Sequence, residues 1–274
     1  MSELAKYAIL DTDFVSKANI IKRGDRVLAD EVLAFPGYRF FCHQKMKEEL
    51  DDHGTNEAQA WLQRKTDAGE IICYDDKRII AELKLRVGTH SFSYYQSFLK
   101  SGCDMIEADF YVRYFIALDE WLDSGESDEG GFLSVLESCE NAIGHQKSFG
   151  EVKAFVLLQV ISMLYSAKAF IFCSDDRGAR QGFANTAMIP CISILSVFLK
   201  LWLLGKPYDE VQLFYQSFVD WCLKRKNPQV TVRVWVYKSG TYNRENVQIK
   251  DVLEDIYAGK YEARKDGDLQ LKRL

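Results

Sequence analysis

The stretch FIFCSDDRGARQGFANTAMIPCISILSVFL, Phe170 to Leu199, holds two short apolar runs separated by a polar segment, and the second run leads into helically spaced apolar residues. Short continuous apolar runs bounded by turn-forming residues read as strands buried on both faces. A strand, a polar segment, a second strand and a helix, in that order, form a unit of an α/β fold with a parallel sheet. The first of these strands runs into Ser174, Asp175 and Asp176. Adjacent carboxylates repel, and burying either one unpaired is costly. The two aspartates therefore mark either a solvated turn or a site that expects a cation.

The same pattern recurs outward from this stretch. KYAIL is an apolar run closed by Asp11, Thr12 and Asp13. RFFCH is a short strand or turn running into a helix from about Gln44, and GEIICYDD holds a strand again followed by aspartates. Between residues 77 and 122 apolar residues recur at helical spacing, as in RIIAELKLRV and DFYVRYFIALDEWL. DSGESDEGG is a polar, Gly-rich loop, and GFLSVLESCENAI and SFGEVKAFVLLQVISMLYSA read as two further helices. KAFIFC and AMIPCIS read as strands, and ILSVFLKLWLL and YDEVQLFYQSFVDWCLKRK as helices. Strands that alternate with helices predict a three-layer α/β/α fold around a central parallel sheet. Beyond Pro228 the character changes: VTVRVWVYKSGTYNRENVQIK alternates with period two around a Ser-Gly turn, and a short helix follows in IKDVLEDIYAGKY. The expected organisation is a domain over residues 1–205, with a helical insertion at about 77–147, and a C-terminal extension of helix plus β-hairpin over 206–274.

Composition narrows the function classes. The 274 residues carry a net charge of −5, unevenly spread. From Cys222 to Leu274 there are 12 Lys and Arg against 7 Asp and Glu, so the tail is basic and the body acidic. A basic tail can hold a polyanion, although a Lys-rich helical surface explains it equally well. The tail also carries Trp235, Tyr237 and Tyr242 beside Lys238, Arg244 and Lys250. Those aromatics offer base-stacking surfaces in a hairpin, or else pack on the core. The seven cysteines are odd in number, none is spaced as CxxC, and they read as free thiols in a reducing compartment. The four histidines have no zinc-like spacing with them. The most apolar stretch, AMIPCISILSVFLKLWLLG, is broken by Pro190 and Lys200 and reads as strand plus helix, not as a membrane span. A cytoplasmic location is expected.

In an open parallel sheet, ligands bind beyond the carboxyl ends of the strands. Asp11 and Asp13 end one strand there, and Asp175 and Asp176 another. Glu49, in MKEEL, and Glu151, in SFGEVKA, sit on helices that can reach the same rim. Each acid has a plain local explanation: an Asx turn for Asp11, a solvated helix face for Glu48 and Glu49, and a helix N-terminus capped by Ser148 for Glu151. Together they suit a hard divalent cation such as Mg2+ or Mn2+, which takes carboxylate oxygens and supports hydrolysis of a phosphodiester.

These motifs resemble the PIN-domain family of metal-dependent ribonucleases. AILDTDFVSKA is similar to that family's opening and KMKEELDD to its second acidic motif. SFGEVKAFVLLQVI resembles the Gly-Glu third motif of one PIN-like subgroup, and the stretch from Ile171 to Leu199 is the closest likeness. The resemblance covers roughly residues 7–52 and 149–200 and leaves the long helical region and the tail outside the pattern. It implies an endoribonuclease that hydrolyses phosphodiester bonds with water activated by Mg2+ or Mn2+. Asp11, Glu49 and Glu151 would be metal ligands, with Asp175 or Asp176 as the fourth. Thr12 and Ser174 would orient ligands or phosphate, and Arg177 and Arg180 would contact the substrate, single-stranded RNA by preference. Many PIN-like proteins are toxins held by a small antitoxin partner, and the helical insertion is the expected seat for one.

Two other readings stand beside this one. LDTDFV and SDD also resemble motifs of haloacid-dehalogenase-type phosphatases, in which Asp11 would attack phosphorus. That chemistry asks for a strand ending in Ser or Thr and for a lysine at the site. A PIN-like module that binds and cleaves nothing is the third.

Overall fold

The computed structural model describes residues 5–52, 55–126, 128–144, 149–165 and 169–273. Strand β1 (Lys6–Leu10) leads into α1 (Thr12–Ile20), and a small antiparallel pair, β2 (Lys22–Arg23) and β3 (Arg26–Val27), precedes α2 (Leu28–Leu33). Next come β4 (Tyr38–His43), α3 (Gln44–Asp52), α4 (Asn56–Asp67) and β5 (Ile71–Tyr74). A helical run follows: α5 (Asp76–Val87), α6 (Ser91–Ile106), α7 (Phe110–Tyr114), α8 (Ile116–Asp123), α9 (Glu129–Ile143) and α10 (Phe149–Leu164). The chain returns to the sheet with β6 (Ala169–Cys173), α11 (Arg177–Gly182) and β7 (Cys191–Ile192), then leaves through α12 (Ile194–Leu203) and α13 (Tyr208–Lys224). The tail is β8 (Thr231–Lys238), β9 (Thr241–Gln248), α14 (Val252–Tyr257), β10 (Tyr261–Ala263) and β11 (Leu269–Leu271).

The central sheet is parallel throughout, in the order β5-β4-β1-β6-β7. The chain builds outward from β1 through β4 to β5, then crosses back to place β6 and β7 on the other side. Strand order therefore reverses at β1, and a crevice opens there beyond the carboxyl ends.

Alternation along each strand separates two cores. Ala8, Leu10, Phe40, Cys42, Ile171 and Cys173 face one layer, which contains α1–α4 and α12–α14. Tyr7, Ile9, Phe41, Tyr74 and Phe172 face the other, built from α5 to α10. The expected three-layer α/β/α fold is what forms. The expected helical insertion is the principal layer over one sheet face, because its apolar stripes have no other surface to bury. The fourth expected strand, AMIPCIS, shortens to Cys191–Ile192: a turn of π-helix occupies Phe183–Ala187 and Met188 adopts the left-handed conformation. Ser148, the expected cap of α10, lies outside the described residues.

The tail forms a second sheet, β10-β11-β8-β9. Its hairpin turns at Ser239 and Gly240, both at positive φ, as a two-residue type I′ turn requires. Val232 and Val234 are buried against α12–α14, so the tail shares the first core. The strands β10 and β11, within KYEARKDGDLQL, are too short and too polar to be read as strands from the sequence. Arg180 locks the tail in place: its guanidinium donates to the carbonyls of Asp266 (2.8 Å) and Ser174 (3.2 Å) and to the Asp268 carboxylate (2.8 Å). The Cys191 amide adds a bond to the Lys265 carbonyl, 2.7 Å. No helix among the described residues is long and apolar enough to cross a membrane.

Candidate active site

The strand register places the site. Leu10 pairs with Cys173, so the next residues, Asp11 and Ser174, stand side by side at the switch point. Phe41 and Phe172 face the α10 layer, and alternation puts Asp11, His43 and Ser174 on that same side. The Asp11 amide donates to the Cys173 carbonyl (3.0 Å), and the Ser174 hydroxyl donates to Asp11 Oδ2 (2.8 Å). Asp11 is 7 % exposed. Helix α3 follows β4 directly and brings Glu49 over α1, where Thr12 Oγ1 donates to Glu49 Oε2 at 2.5 Å.

Helix α10 closes the site from above. A Cβ on Gly150 would lie 2.5 Å from Glu49 Oε2 and 2.7 Å from Oε1, so only glycine lets the first turn of α10 rest on that carboxylate. Gly150→Ala is accordingly expected to push Glu49 aside, weakening any cation held there by at least tenfold while lowering the melting temperature only slightly. A Mn2+ titration followed by thermal shift reads both. Glu151, the next residue, is half-buried, and its Oε2 has no hydrogen-bond partner.

Electrostatics ties these acids together. Burial pushes the Asp11 carboxyl up to about 7, with Glu49 and Asp13 adding to the rise and the Ser174 bond opposing it. Burial likewise pushes Glu151 up to about 8, reinforced by Asp11, Asp176 and Glu49. The sequence left Asp175 and Asp176 as equivalent candidates, but their surroundings differ. Asp175 accepts from Lys17 (2.8 Å) and from the Ile194 amide at the start of α12 (3.0 Å). Lys17 also binds Asp13 at 2.7 Å. Asp176 is exposed, caps α11 through the Ala179 amide (2.8 Å) and acts on Glu151. Asp11, Asp176 and Glu49 all act on Glu151, while Asp13, which also acts on Asp11, shares Lys17 with Asp175. Glu48 points outward and pairs with Lys45.

The arginines also part company. Arg177 is exposed beside Asp176, at the lip of the site. Arg180, expected to contact substrate, is instead 5 % exposed with its guanidinium committed to Ser174, Asp266 and Asp268. It supports the residue that orients Asp11.

Comparison with protein-family models, with curated proteins and with solved structures yields no match for this chain.

Among the described residues, no three His, Cys, Asp or Glu side chains form a ready-made ligand set. The acids nevertheless fit a hard divalent cation. They offer only oxygen donors, they raise one another's affinity for positive charge, and the buried Glu151 Oε2 lacks a partner.

A second polar network, unforeseen from the sequence, adjoins the site. Lys153, fully buried on α10, donates to both Asp76 oxygens (2.9 and 2.8 Å) and to the Tyr95 hydroxyl (2.9 Å), and pairs with Glu140. His43 Nε2 lies 3.2 Å from Asp76 Oδ1. Burial alone would raise Asp76, but Lys153 and His43 hold it well below the usual carboxylate range. The network ties α5, α6, α9 and α10 to the end of β4, and so fixes the helix that carries Gly150 and Glu151.

Proposed function

We propose that the protein is a Mg2+- or Mn2+-dependent phosphodiesterase of PIN type that cleaves nucleic acid. The observation that carries this reading is the Glu151 carboxyl, pushed up to about 8 by burial and by Asp11, Asp176 and Glu49, with one oxygen unpartnered. Crowded carboxyls of this kind are costly unless a cation neutralises them. Asp11, Glu49 and Glu151 would hold the cation, with Asp176 at the outer edge. When bound, such a cation supplies Lewis acidity toward the phosphodiester and lowers the pKa of water.

The chain's own groups account for the rest. Ser174 and Thr12 each fix one carboxylate by donating to it, so neither acid has to reorient as charge develops. The N-terminal end of α10 directs its dipole at the same acids and eases their crowding. Arg177, exposed at the lip, is placed to meet a phosphate oxygen. Lys17 bridges Asp13 and Asp175 and offsets part of that pair's charge.

The phosphatase alternative asks for a lysine on Asp11 and a Ser or Thr at a strand end. Ser174, directly after β6, does donate to Asp11, but the lysines near the acids are committed elsewhere, Lys17 to Asp13 and Asp175 and the buried Lys153 to Asp76 and Glu140, and the phosphatase leaves Glu49 and Glu151 without a role. The nuclease reading therefore uses more of the observed groups.

The test is an assay of the purified chain with single-stranded RNA, bis(p-nitrophenyl) phosphate and p-nitrophenyl phosphate, each with Mn2+ or with EDTA. Mn2+-dependent cleavage of the diesters is expected. Hydrolysis of the monoester alone, with RNA left whole, would move the assignment to the phosphatase.

A further inference from the structure

The tail sheet has two unlike faces. Val232 and Val234 point into the core, so alternation turns Trp235's neighbours Arg233 and Tyr237, and Trp235 itself, to the opposite face. Register adds the facing strands: Trp235 pairs with Arg244, and Tyr237 with Tyr242. Tyr237 and Tyr242 have ring centroids 5.1 Å apart, and Tyr237 is 38 % exposed.

Guanidiniums are layered among these rings. Arg244 and Arg264 lie 4.5 and 4.3 Å from the Trp235 centroid, and Arg273 lies 3.6 Å from that of Tyr237. The Nε groups of Arg244 and Arg264 have no hydrogen-bond acceptor; Arg264 Nε faces the Asp266 carboxylate at 3.8 Å, and both guanidiniums stack on Trp235. Bases stack on aromatic and on guanidinium planes alike, and the same guanidiniums pair with backbone phosphates.

This face is also wired to the acidic site. Asp268 accepts from Arg180, from Trp235 Nε1 (3.2 Å) and from Arg244 (3.5 Å). In the amide orientation that satisfies both its ends, the Gln181 oxygen accepts from Arg244 (2.8 Å) and from Arg177 (3.3 Å). A line of polar contacts thus runs from Arg177 at the lip of the acids to Trp235 on the sheet. The body of the chain is acidic and would repel a polyanion elsewhere.

We propose that the outer face of the tail sheet is a binding surface for single-stranded nucleic acid leading into the acidic site, with bases on Trp235, Tyr237 and Tyr242 and phosphates on Arg244, Arg264 and Arg273. The direction of the strand into the site rests on the phosphodiesterase reading; the surface itself does not. A duplex keeps its bases stacked inside and cannot use these rings, so single strands are selected.

The experiment is fluorescence anisotropy of the full chain with a fluorescein-labelled 12-nucleotide oligouridylate, in EDTA so that nothing is cut, across a salt series. The Tyr237→Ala/Arg273→Glu variant should bind at least tenfold more weakly, with a salt slope shallower by about one. Both side chains are at the surface, and a melting curve checks the fold; Arg273→Ala alone serves if the double variant melts early. An oligonucleotide duplex should compete poorly. Unchanged affinity and slope in a folded variant would overturn the proposal, as would displacement by polyglutamate as readily as by oligouridylate, which would mark an acidic-protein site. Face-dependent binding without diester cleavage by the wild type would leave the surface standing and remove the hydrolase reading. Diester cleavage with face-independent RNA binding would do the reverse.

Discussion

Asp11→Asn and Glu151→Gln are expected to lower Mn2+-dependent diester cleavage roughly a thousandfold, a loss on the scale of removing one preorganised electrostatic partner. In the same molecules they should stabilise the metal-free fold at pH 8. Both carboxyls are raised in the folded protein, to about 7 and about 8, first by burial, then by Glu49 and Asp13 at Asp11 and by Asp11, Asp176 and Glu49 at Glu151. A group raised in this way contributes stability that is complete below its unfolded value, near 4, and is lost as pH rises through its folded value. Metal-free stability should therefore fall between about pH 4 and pH 8. Each displacement corresponds to roughly 4 kcal/mol, partly shared between the two groups, so one neutral isostere should recover about 2 kcal/mol at pH 8. Urea melts at pH 5 and pH 8, with and without Mn2+, check this. A wild type equally stable at both pH values in EDTA would argue against crowded acids.

Lys153→Met is expected to be the most destabilising single change in the α10 layer. It removes the cation from Asp76 and Glu140 and leaves both carboxyls in a core where Tyr95 is also buried. Breaking a buried pair by deleting one partner costs about 3–5 kcal/mol, which corresponds here to a fall of ~10 °C in melting temperature. The sign with pH is the opposite of that at the acidic site. Asp76 is depressed in the wild type, so its contribution is present above its unfolded value and disappears as pH falls; Lys153 is raised, and its contribution persists until strongly alkaline pH. In the variant the stranded carboxyls can be protonated, so the deficit should shrink toward pH 4. Melting curves across that range measure it, and a uniform deficit would mean that lost packing and not stranded charge is responsible.

The two results separate what the chain discloses in one dimension from what it conceals. The strands announce themselves because a parallel sheet buried on both faces needs continuous apolar runs, and KYAIL, RFFCH, IICY and FIFC are such runs. Their acidic ends follow from the same logic, since alternation and register carry Asp11 and Ser174 to one point. The different surroundings of Asp175 and Asp176 are not legible in the sequence, because they turn on Lys17, which lies 158 positions from Asp175 in the chain. The structural role of Arg180 is not legible because its partners, Asp266 and Asp268, lie in the turn between β10 and β11, more than eighty positions away in the chain. The Lys153 network had one clue: a lysine inside EVKAFVLLQV, a helix apolar all round, must be paired if it is buried. Its partners Asp76, Tyr95 and Glu140 come from three other helices, and no periodicity within α10 points to them. In the tail, the period-two pattern of VTVRVWVYK separated Val232 and Val234 from Trp235 and Tyr237, but not which set faced the core.

The central claim is that Asp11, Glu49 and Glu151 serve one cation. The most direct measurement is an anomalous difference map at the manganese edge from crystals of the chain grown with Mn2+. The account predicts a peak about 2.1 Å from carboxylate oxygens of these three residues, with Asp176 at its outer side. A saturated crystal with no peak there, or with its peak between Asp13 and Asp175, would contradict it.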